Sequence, residues 1–353
     1  MVPKIDALRR RPWRAAIVLA ATLLLGGCGI GYYAQAARGQ LAVMRARQPI
    51  DKLVAAPGTG EELKSQLLRA RRIRDFASAR LRLPDNGAYR SYADIGRRYV
   101  VWNVVAAPEF AIEPRQWCFP VVGCVAYRGY FREQAARDFA AQLKAAGDDV
   151  VVGGVPAYST LGRVADPLLN TVTGYDELDL AGLIFHELAH QMVWKPGDSS
   201  FNEAFATAVE EEGVARYAAA YADTAMLEEW RNRRRLREEV TALFIAARSD
   251  LANLYRQRIA PELMRTRKAE RIARLREDVR GLEQRYGRRS GYGGWFEAGL
   301  NNAHLASVAT YYDQVPRFEA MLREDCGGYL PCLYVRARDA ARKEKPAARQ
   351  AGG

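Results

Sequence analysis

The residues with the clearest chemical potential are two histidines and a glutamate inside a short apolar segment. The sequence IFHELAHQ at 184–191 places His186 and His190 four positions apart, with Glu187 between them. On a helix, positions four apart share a face, so both imidazoles can bind one metal ion. Glu187 lies beside them, where its carboxylate can take a proton from metal-bound water. Hydrogen-bonded core histidines are the alternative, but the HExxH spacing favours a metal site.

A catalytic zinc ion usually has three protein ligands and one water, so a third ligand is expected downstream. Glu203 lies thirteen residues after His190, across the break KPGD at 195–198. That break allows a second helix to fold back and present the Glu203 carboxylate. A competing role is open, because Ser200 and Glu203 have the spacing of a helix capping box. Glu210, seven positions further on, is the reserve ligand.

The transition state of carbonyl chemistry needs a donor for the developing oxyanion, such as a tyrosine, histidine or arginine. The sequence offers Tyr158, Tyr311, Tyr312 and His304 as candidates. For each of them a packing or surface role is also open. Tyr158 could instead lie on a strand edge that binds the substrate backbone by β-addition.

The motif HELAHQ followed by NEAFAT resembles the zinc metallopeptidases whose third ligand is a glutamate on a second helix. More narrowly, the chain is similar to the predicted aminopeptidase family of bacterial lipoproteins. The likeness covers most of the chain after residue 28, on the segments QWCFP (116–120), YRGYF (127–131), VPAYSTLG (155–162), DPLLNT (166–171), NNA (301–303) and VPRF (315–318). The resemblance implies zinc, peptide hydrolysis, the ligands His186, His190 and Glu203, and Glu187 as the base.

Three functions are compatible with these residues. An aminopeptidase needs an acidic group near the cleft for the substrate's N-terminus, and Glu210, Glu211 or Asp166 could supply it. An endopeptidase acting on envelope proteins needs no such group. A non-catalytic, zinc-bound lipoprotein that scaffolds partners through its long helices is the third possibility.

The N-terminus has the pattern of an export signal. Five basic residues precede the apolar run Ala15–Leu25, whose eleven residues are too few to span a bilayer. The residues LGGC that end at Cys28 resemble a bacterial lipobox, which implies cleavage before Cys28 and its lipidation. Gly29 then favours the outer membrane, facing the periplasm. An uncleaved anchor and a plain secretory signal are the alternatives.

Four further cysteines are expected to be oxidised in an exported protein. They form two local pairs in the sequence, Cys118 with Cys124 and Cys326 with Cys332. Local pairing is the simplest of three connectivities. A thiolate metal site is the alternative.

The net charge of +12 suggests nucleic-acid binding until the charges are located. Residues 1–27 carry +4, residues 228–289 carry +8 and residues 333–353 carry +4, which leaves −4 on the rest. With export, this distribution excludes a nucleic-acid function. A solvated helix face accounts for most arginines of 228–289, and contact with an envelope protein or anionic lipid is the alternative.

Hydrophobic periodicity predicts an α+β, mainly helical fold: a zincin-like body with a small sheet, and a long helical-hairpin extension. The predicted helices are Gly31 to about Arg82, Arg132–Ala146, Leu180–Val193, Phe201 to about Ala220, and Glu228–Tyr286 with an interruption at Pro261. The predicted strands are Tyr99–Val105, Phe119–Tyr130 and Val150–Val152. The predicted divisions are the signal at 1–27, the sheet and zinc-site helices at 28–227, the charged extension at 228–289, a packing segment at 290–335, and a disordered basic tail at 336–353.

Overall fold

The computed structural model describes residues 31–119, 123–308 and 314–343. These residues are mostly helical with short strands, which confirms the α+β, mainly helical prediction. The signal segment, Cys28, Tyr311 and Tyr312 lie outside the described residues. No helix in the described part of the chain is long and apolar enough to cross a membrane. The division into domains stays a prediction.

The described residues contain thirteen α-helices. In order they are α1 (31–45), α2 (Ile50–Ala55), α3 (Glu61–Ala79), α4 (Glu133–Ala145), α5 (Asn170–Thr173), α6 (Glu177–Ala189), α7 (Ser199–Tyr221), α8 (Thr224–Tyr255), α9 (Pro261–Tyr286), α10 (Gly293–Glu297), α11 (Asn302–Val308), α12 (Val315–Ala320) and α13 (Leu330–Lys343). A π-helical turn, Met321–Asp325, follows α12. Most of the strands lie between α3 and α5.

The largest apolar core lies where α3, α6, α7 and α13 pack together. Ile73 of α3, Phe185 of α6, Phe205 of α7 and Leu333 of α13 are all completely buried in it. Burying one such side chain stabilises the fold by about 1.5–3 kcal/mol. The two helices that carry the candidate ligands, α6 and α7, are therefore fixed by the core on their inner faces.

The strands form three small sheets. In order they are β1 (Arg47–Pro49), β2 (Ser91–Ala93), β3 (Val101–Pro108), β4 (Trp117–Phe119), β5 (Gly123–Val125), β6 (Arg128–Tyr130), β7 (Asp148–Val155) and β8 (Leu168–Leu169). One sheet is antiparallel in the order β6-β3-β7, a second has the order β1-β2-β8, and β4 pairs with β5. The inward residues Trp102, Val104 and Ala106 alternate along β3, and they pack on α4.

The single strand predicted over Phe119–Tyr130 is wrong. The chain instead folds back between β4 and β5, with Cys118 opposite Cys124 and a disulfide joining them, and continues into β6. A second disulfide joins Cys326 to Cys332, which lies in the first turn of α13. Both are the local pairs.

Helices α8 and α9 form an antiparallel hairpin with its own apolar core. Pro261 occupies the first position of α9, where its missing N–H costs no helical hydrogen bond. The buried residues that join the two helices are Leu236, Val240, Phe244, Leu251, Leu275, Val279 and Leu282. These apolar residues, which lie among charged ones, form the contact surface of the hairpin.

The tail predicted as disordered from residue 336 is instead helical as far as Lys343. Leu333, Tyr334 and Ala337 are buried in the main core, and this packing holds the second half of α13 in place. Arg336, Arg342 and Lys343 of α13 are exposed, whereas Arg338 donates to the Met192 carbonyl at 3.1 Å.

Candidate metal centre

Helices α6 and α7 approach each other closely because small residues lie between them. A Cβ at Gly182 of α6 would lie 3.2 Å from the Glu210 carboxylate, and a Cβ at Gly213 of α7 would lie 2.7 Å from the Phe185 ring. Neither position has room for a larger side chain. The close approach brings the outer face of α6 within reach of carboxylates on α7.

The start of α7 is set by Asp198, whose side chain accepts a hydrogen bond from the Phe201 N–H at 3.0 Å. The alternative role of Ser200 and Glu203 as a capping box is therefore wrong, because the helix begins earlier and Asp198 satisfies the free amide. Glu203 lies in the second turn and has no capping role. Its carboxylate therefore does not have to serve as both a helix cap and a metal ligand.

The loop between the two helices is held by Asn202, which is 1% exposed. Its Oδ1 accepts from the Lys195 N–H at 2.7 Å, and its Nδ2 donates to the Lys195 carbonyl at 2.9 Å. The Lys195 ammonium also forms a 2.9 Å ion pair with Asp198. Since Asn202 directly precedes Glu203, this bracing fixes the backbone that carries the candidate ligand.

The structure brings His186, His190 and Glu203 together as a group that could hold a metal ion, with ligand atoms within 4.8 Å of one another. His186 Nε2 lies 3.2 Å from Glu203 Oε2 and 3.2 Å from His190 Nε2. His190 Nε2 lies 3.7 Å from Glu203 Oε1. Two imidazole nitrogens and one carboxylate therefore face a common point.

Glu210, the reserve ligand, lies on the opposite side of the His186 ring. Its Oε2 is 3.0 Å from Nδ1, the nitrogen that faces away from Glu203, and its Oε1 accepts from Arg234 at 2.7 Å. Burial opposes ionisation of Glu210, but Arg234 and His186 lower its pKa to about 2. Glu210 is thus a hydrogen-bond acceptor for a candidate ligand and does not share the metal-facing point.

The pKa values of the two histidines are shifted in opposite directions. Burial lowers the pKa of His186, but Glu203 and Glu210 outweigh it and raise the pKa to about 10. Burial, together with the neighbouring His186 charge, lowers the pKa of His190 to about 4. Two facing ring nitrogens cannot both carry protons, and a cation at their common point would resolve the conflict.

Glu187 lies beside this group and has the protonation behaviour of a general base. Burial raises its pKa to about 7, against the opposing attraction of His186. A carboxylate with a pKa near neutrality can both accept and return a proton at physiological pH.

Two of the candidate donors have other contacts in the structure. Tyr158 donates a hydrogen bond to the Gln40 side chain and packs against Phe131. His304 is buried in the hairpin core, with its ring 5.1 Å from that of Trp295. Burial lowers the pKa of His304 to about 4, so it is neutral. Tyr311 and Tyr312 lie outside the described residues.

Two aromatic residues that were not candidates lie near the group. Burial raises the pKa of Tyr127 and the Glu203 carboxylate raises it further, so this hydroxyl is within electrostatic range of Glu203 although 41% of the residue is exposed. The Trp194 ring lies 5.7 Å from that of His190 and is 37% exposed. Tyr127 belongs to the segment YRGYF that carried the family likeness, which was the available signal.

The acidic residues considered for an N-terminus are each already bound. Glu211 accepts from Arg234 at 2.7 Å. Asp166 is 4% exposed and accepts from both the N–H and the hydroxyl of Thr160, at 2.8 and 3.0 Å. Glu210 lies on the far side of His186, so each of these three carboxylates already has a partner within the chain.

Comparison with known proteins gives one match. Residues 31–351 match the Aminopep family, which is described as "Putative aminopeptidase". No curated protein and no solved structure matches the chain. The matched range includes every residue of the candidate metal group.

Proposed function

The chain belongs to the Aminopep family, and on that premise we propose that it hydrolyses peptide bonds with a zinc ion held by His186, His190 and Glu203. The observation that carries this proposal is the convergence of these three side chains beside Glu187. Aminopeptidase specificity comes from the family description.

The donor set fits zinc in both chemistry and spacing. Zinc binds imidazole nitrogen and carboxylate oxygen at about 2.0–2.2 Å, so two ligand atoms of a tetrahedral site lie about 3.3 Å apart. The closest contacts between the three side chains are 3.2, 3.2 and 3.7 Å. Little rearrangement would be needed to bind the ion.

The zinc ion, Glu187 and Tyr127 would each have a separate role in the reaction. A zinc ion in such a site polarises the scissile carbonyl and lowers the pKa of a water molecule. The Glu187 carboxylate accepts the proton from the attacking water and can return it to the leaving amine. We propose Tyr127, whose pKa the Glu203 carboxylate raises, as the donor that stabilises the oxyanion.

Metal removal and N-terminal blocking test the proposal together. The purified protein should hydrolyse peptides with a free α-amine, lose this activity after chelation, and regain it with added zinc. Acetylated peptides should be cut poorly by an aminopeptidase and equally well by an endopeptidase, which is the alternative specificity. A chelated protein as active as the untreated one would refute the zinc mechanism. An untreated protein with no activity on any peptide would favour the alternative of a non-catalytic, zinc-bound lipoprotein that scaffolds partners.

We place this activity at the periplasmic face of the outer membrane, anchored through lipidated Cys28. The proposal is supported by the export signal and the LGGC sequence. Mass spectrometry of the protein from its native membrane should find Cys28 as the modified first residue. An unmodified Cys28 or an intact residue 1 would contradict the anchor.

The charged segment 228–289 is proposed as the contact surface for anionic lipid or an envelope protein. Its net charge of +8 supports this role. The chain from residue 31 should bind vesicles containing anionic lipid at low salt and release them at high salt. Equal binding to neutral vesicles would contradict the electrostatic contact.

A further inference from the structure

One arginine of the α8–α9 hairpin reaches into the support of the metal centre. The Arg234 side chain is 11% exposed, and its guanidinium binds three carboxylates. Nη1 lies 2.7 Å from Glu210 Oε1, Nη2 lies 2.7 Å from Glu211 Oε1, and Nε lies 3.3 Å from Glu238 Oε1. The planar guanidinium is suited to such divergent contacts, and a lysine ammonium is not.

Arg234 and His186 bind opposite oxygens of the same carboxylate. Glu210 Oε1 accepts from Arg234, while Glu210 Oε2 lies 3.0 Å from His186 Nδ1. In the neutral ring, a carboxylate in this position favours the proton on Nδ1, and the Nε2 lone pair is then directed at the point shared with Glu203. An acceptor on the outer nitrogen fixes the tautomer and the orientation of a metal-binding histidine.

The support is specific to one histidine. In the described part of the chain His190 Nδ1 has no hydrogen-bond partner, although it is buried. The orientation of His186 is therefore the better defined of the two, and it depends on a buried anion. A buried carboxylate stays ionised only with a partner charge, and Arg234 is the closest one to Glu210.

We propose that Arg234 is a positioning residue for the metal centre, acting through Glu210 to hold His186 ready to bind the ion. The hairpin thereby contributes to the site as well as to the surface of the protein. This inference rests on the proposed metal site, and it does not depend on the peptidase reaction.

Zinc affinity, measured by competition with a chromophoric chelator, tests the proposal. The variant Arg234→Gln should bind zinc about 10–100-fold more weakly than the parent, the range for loss of an outer support. The control Arg233→Gln removes the neighbouring arginine of α8, which pairs with Asp179 at 3.0 Å. It should leave the affinity within about threefold of the parent, because Asp179 makes no contact with the site.

A double-mutant cycle separates positioning from a general loss of structure. If Arg234 acts through Glu210, Glu210→Gln combined with Arg234→Gln should bind zinc no more weakly than Glu210→Gln alone. Glu211→Gln, which breaks a different contact of the same arginine, should keep the parent affinity. Thermal unfolding of each variant identifies any that are not folded, and Arg234→Lys then replaces Arg234→Gln with a partial loss expected.

The outcomes are distinct. Parent-like zinc affinity in a folded Arg234 variant, or additive losses in the cycle, would overturn the positioning role while leaving the metal site intact. Two results would overturn the proposed function and this inference together. One is a parent protein that binds no zinc, and the other is a His186→Ala variant that binds zinc as tightly as the parent.

Discussion

Asn202 carries the strongest testable stability contribution near the site. It is almost completely buried, and its amide satisfies both the N–H and the carbonyl of Lys195, itself 5% exposed. Asn202→Ala removes two hydrogen bonds worth about 1 kcal/mol each. The two backbone groups lose these partners in a buried position, which adds a desolvation cost, so the expected loss in the free energy of unfolding is about 2–4 kcal/mol.

The assay is urea unfolding of the metal-free protein, so that zinc binding does not contribute to the difference. Asn253→Ala is the matched control, since Asn253 is exposed and bonds only Arg256 in the described contacts; its expected change is below about 0.5 kcal/mol. A loss under about 1 kcal/mol in the free energy of unfolding for Asn202→Ala would refute the reasoning. The two hydrogen bonds between Asn202 and Lys195 would then contribute no more than an ordinary surface contact.

Three further predictions follow from the site and its helices. Asp198→Ala removes both the cap and the ion pair with Lys195 and should destabilise the protein by more than about 1 kcal/mol, whereas Ser200→Ala should cost much less; equal losses in chemical unfolding would contradict the assigned cap. Gly213→Ala places a methyl group against the Phe185 ring and should cost about 1–3 kcal/mol by overpacking, so a neutral result would mean that α6 and α7 can separate. Because the pKa of metal-free His186 is raised to about 10 and zinc needs the neutral ring, zinc affinity should rise by up to about tenfold per unit between pH 7 and 9. Isothermal titration in two buffers should show proton release, and a pH-independent affinity would contradict this ionisation.

The sequence was most informative for residues whose relative positions are determined by the helical repeat. The spacing of His186 and His190 predicts a helix face, and the structure places His186 in the last turn of α6 and His190 at its C-cap. Glu203 could be predicted from its position on the following helix, and in the structure its Oε2 lies 3.2 Å from His186 Nε2. These inferences needed only the helical repeat and one turn.

The outer contacts could not be read from the sequence because they depend on how helices rotate and approach. Whether Glu210 faces the metal side or the far side of His186 is set by the packing of α6 on α7. Arg234 comes from a helix whose charge pattern is that of a solvated surface. The choice between Asp198 and Ser200 as the cap was a competition within three residues, and backbone geometry decides it.

The most direct test of the central claim measures bound zinc and peptide turnover in the same preparation of Glu187→Gln. The account predicts one zinc per chain, as in the parent, with turnover reduced by about 10²–10⁴-fold for loss of a general base. Parent-like turnover in the zinc-loaded variant would contradict the role of Glu187 and the reaction proposed for this site.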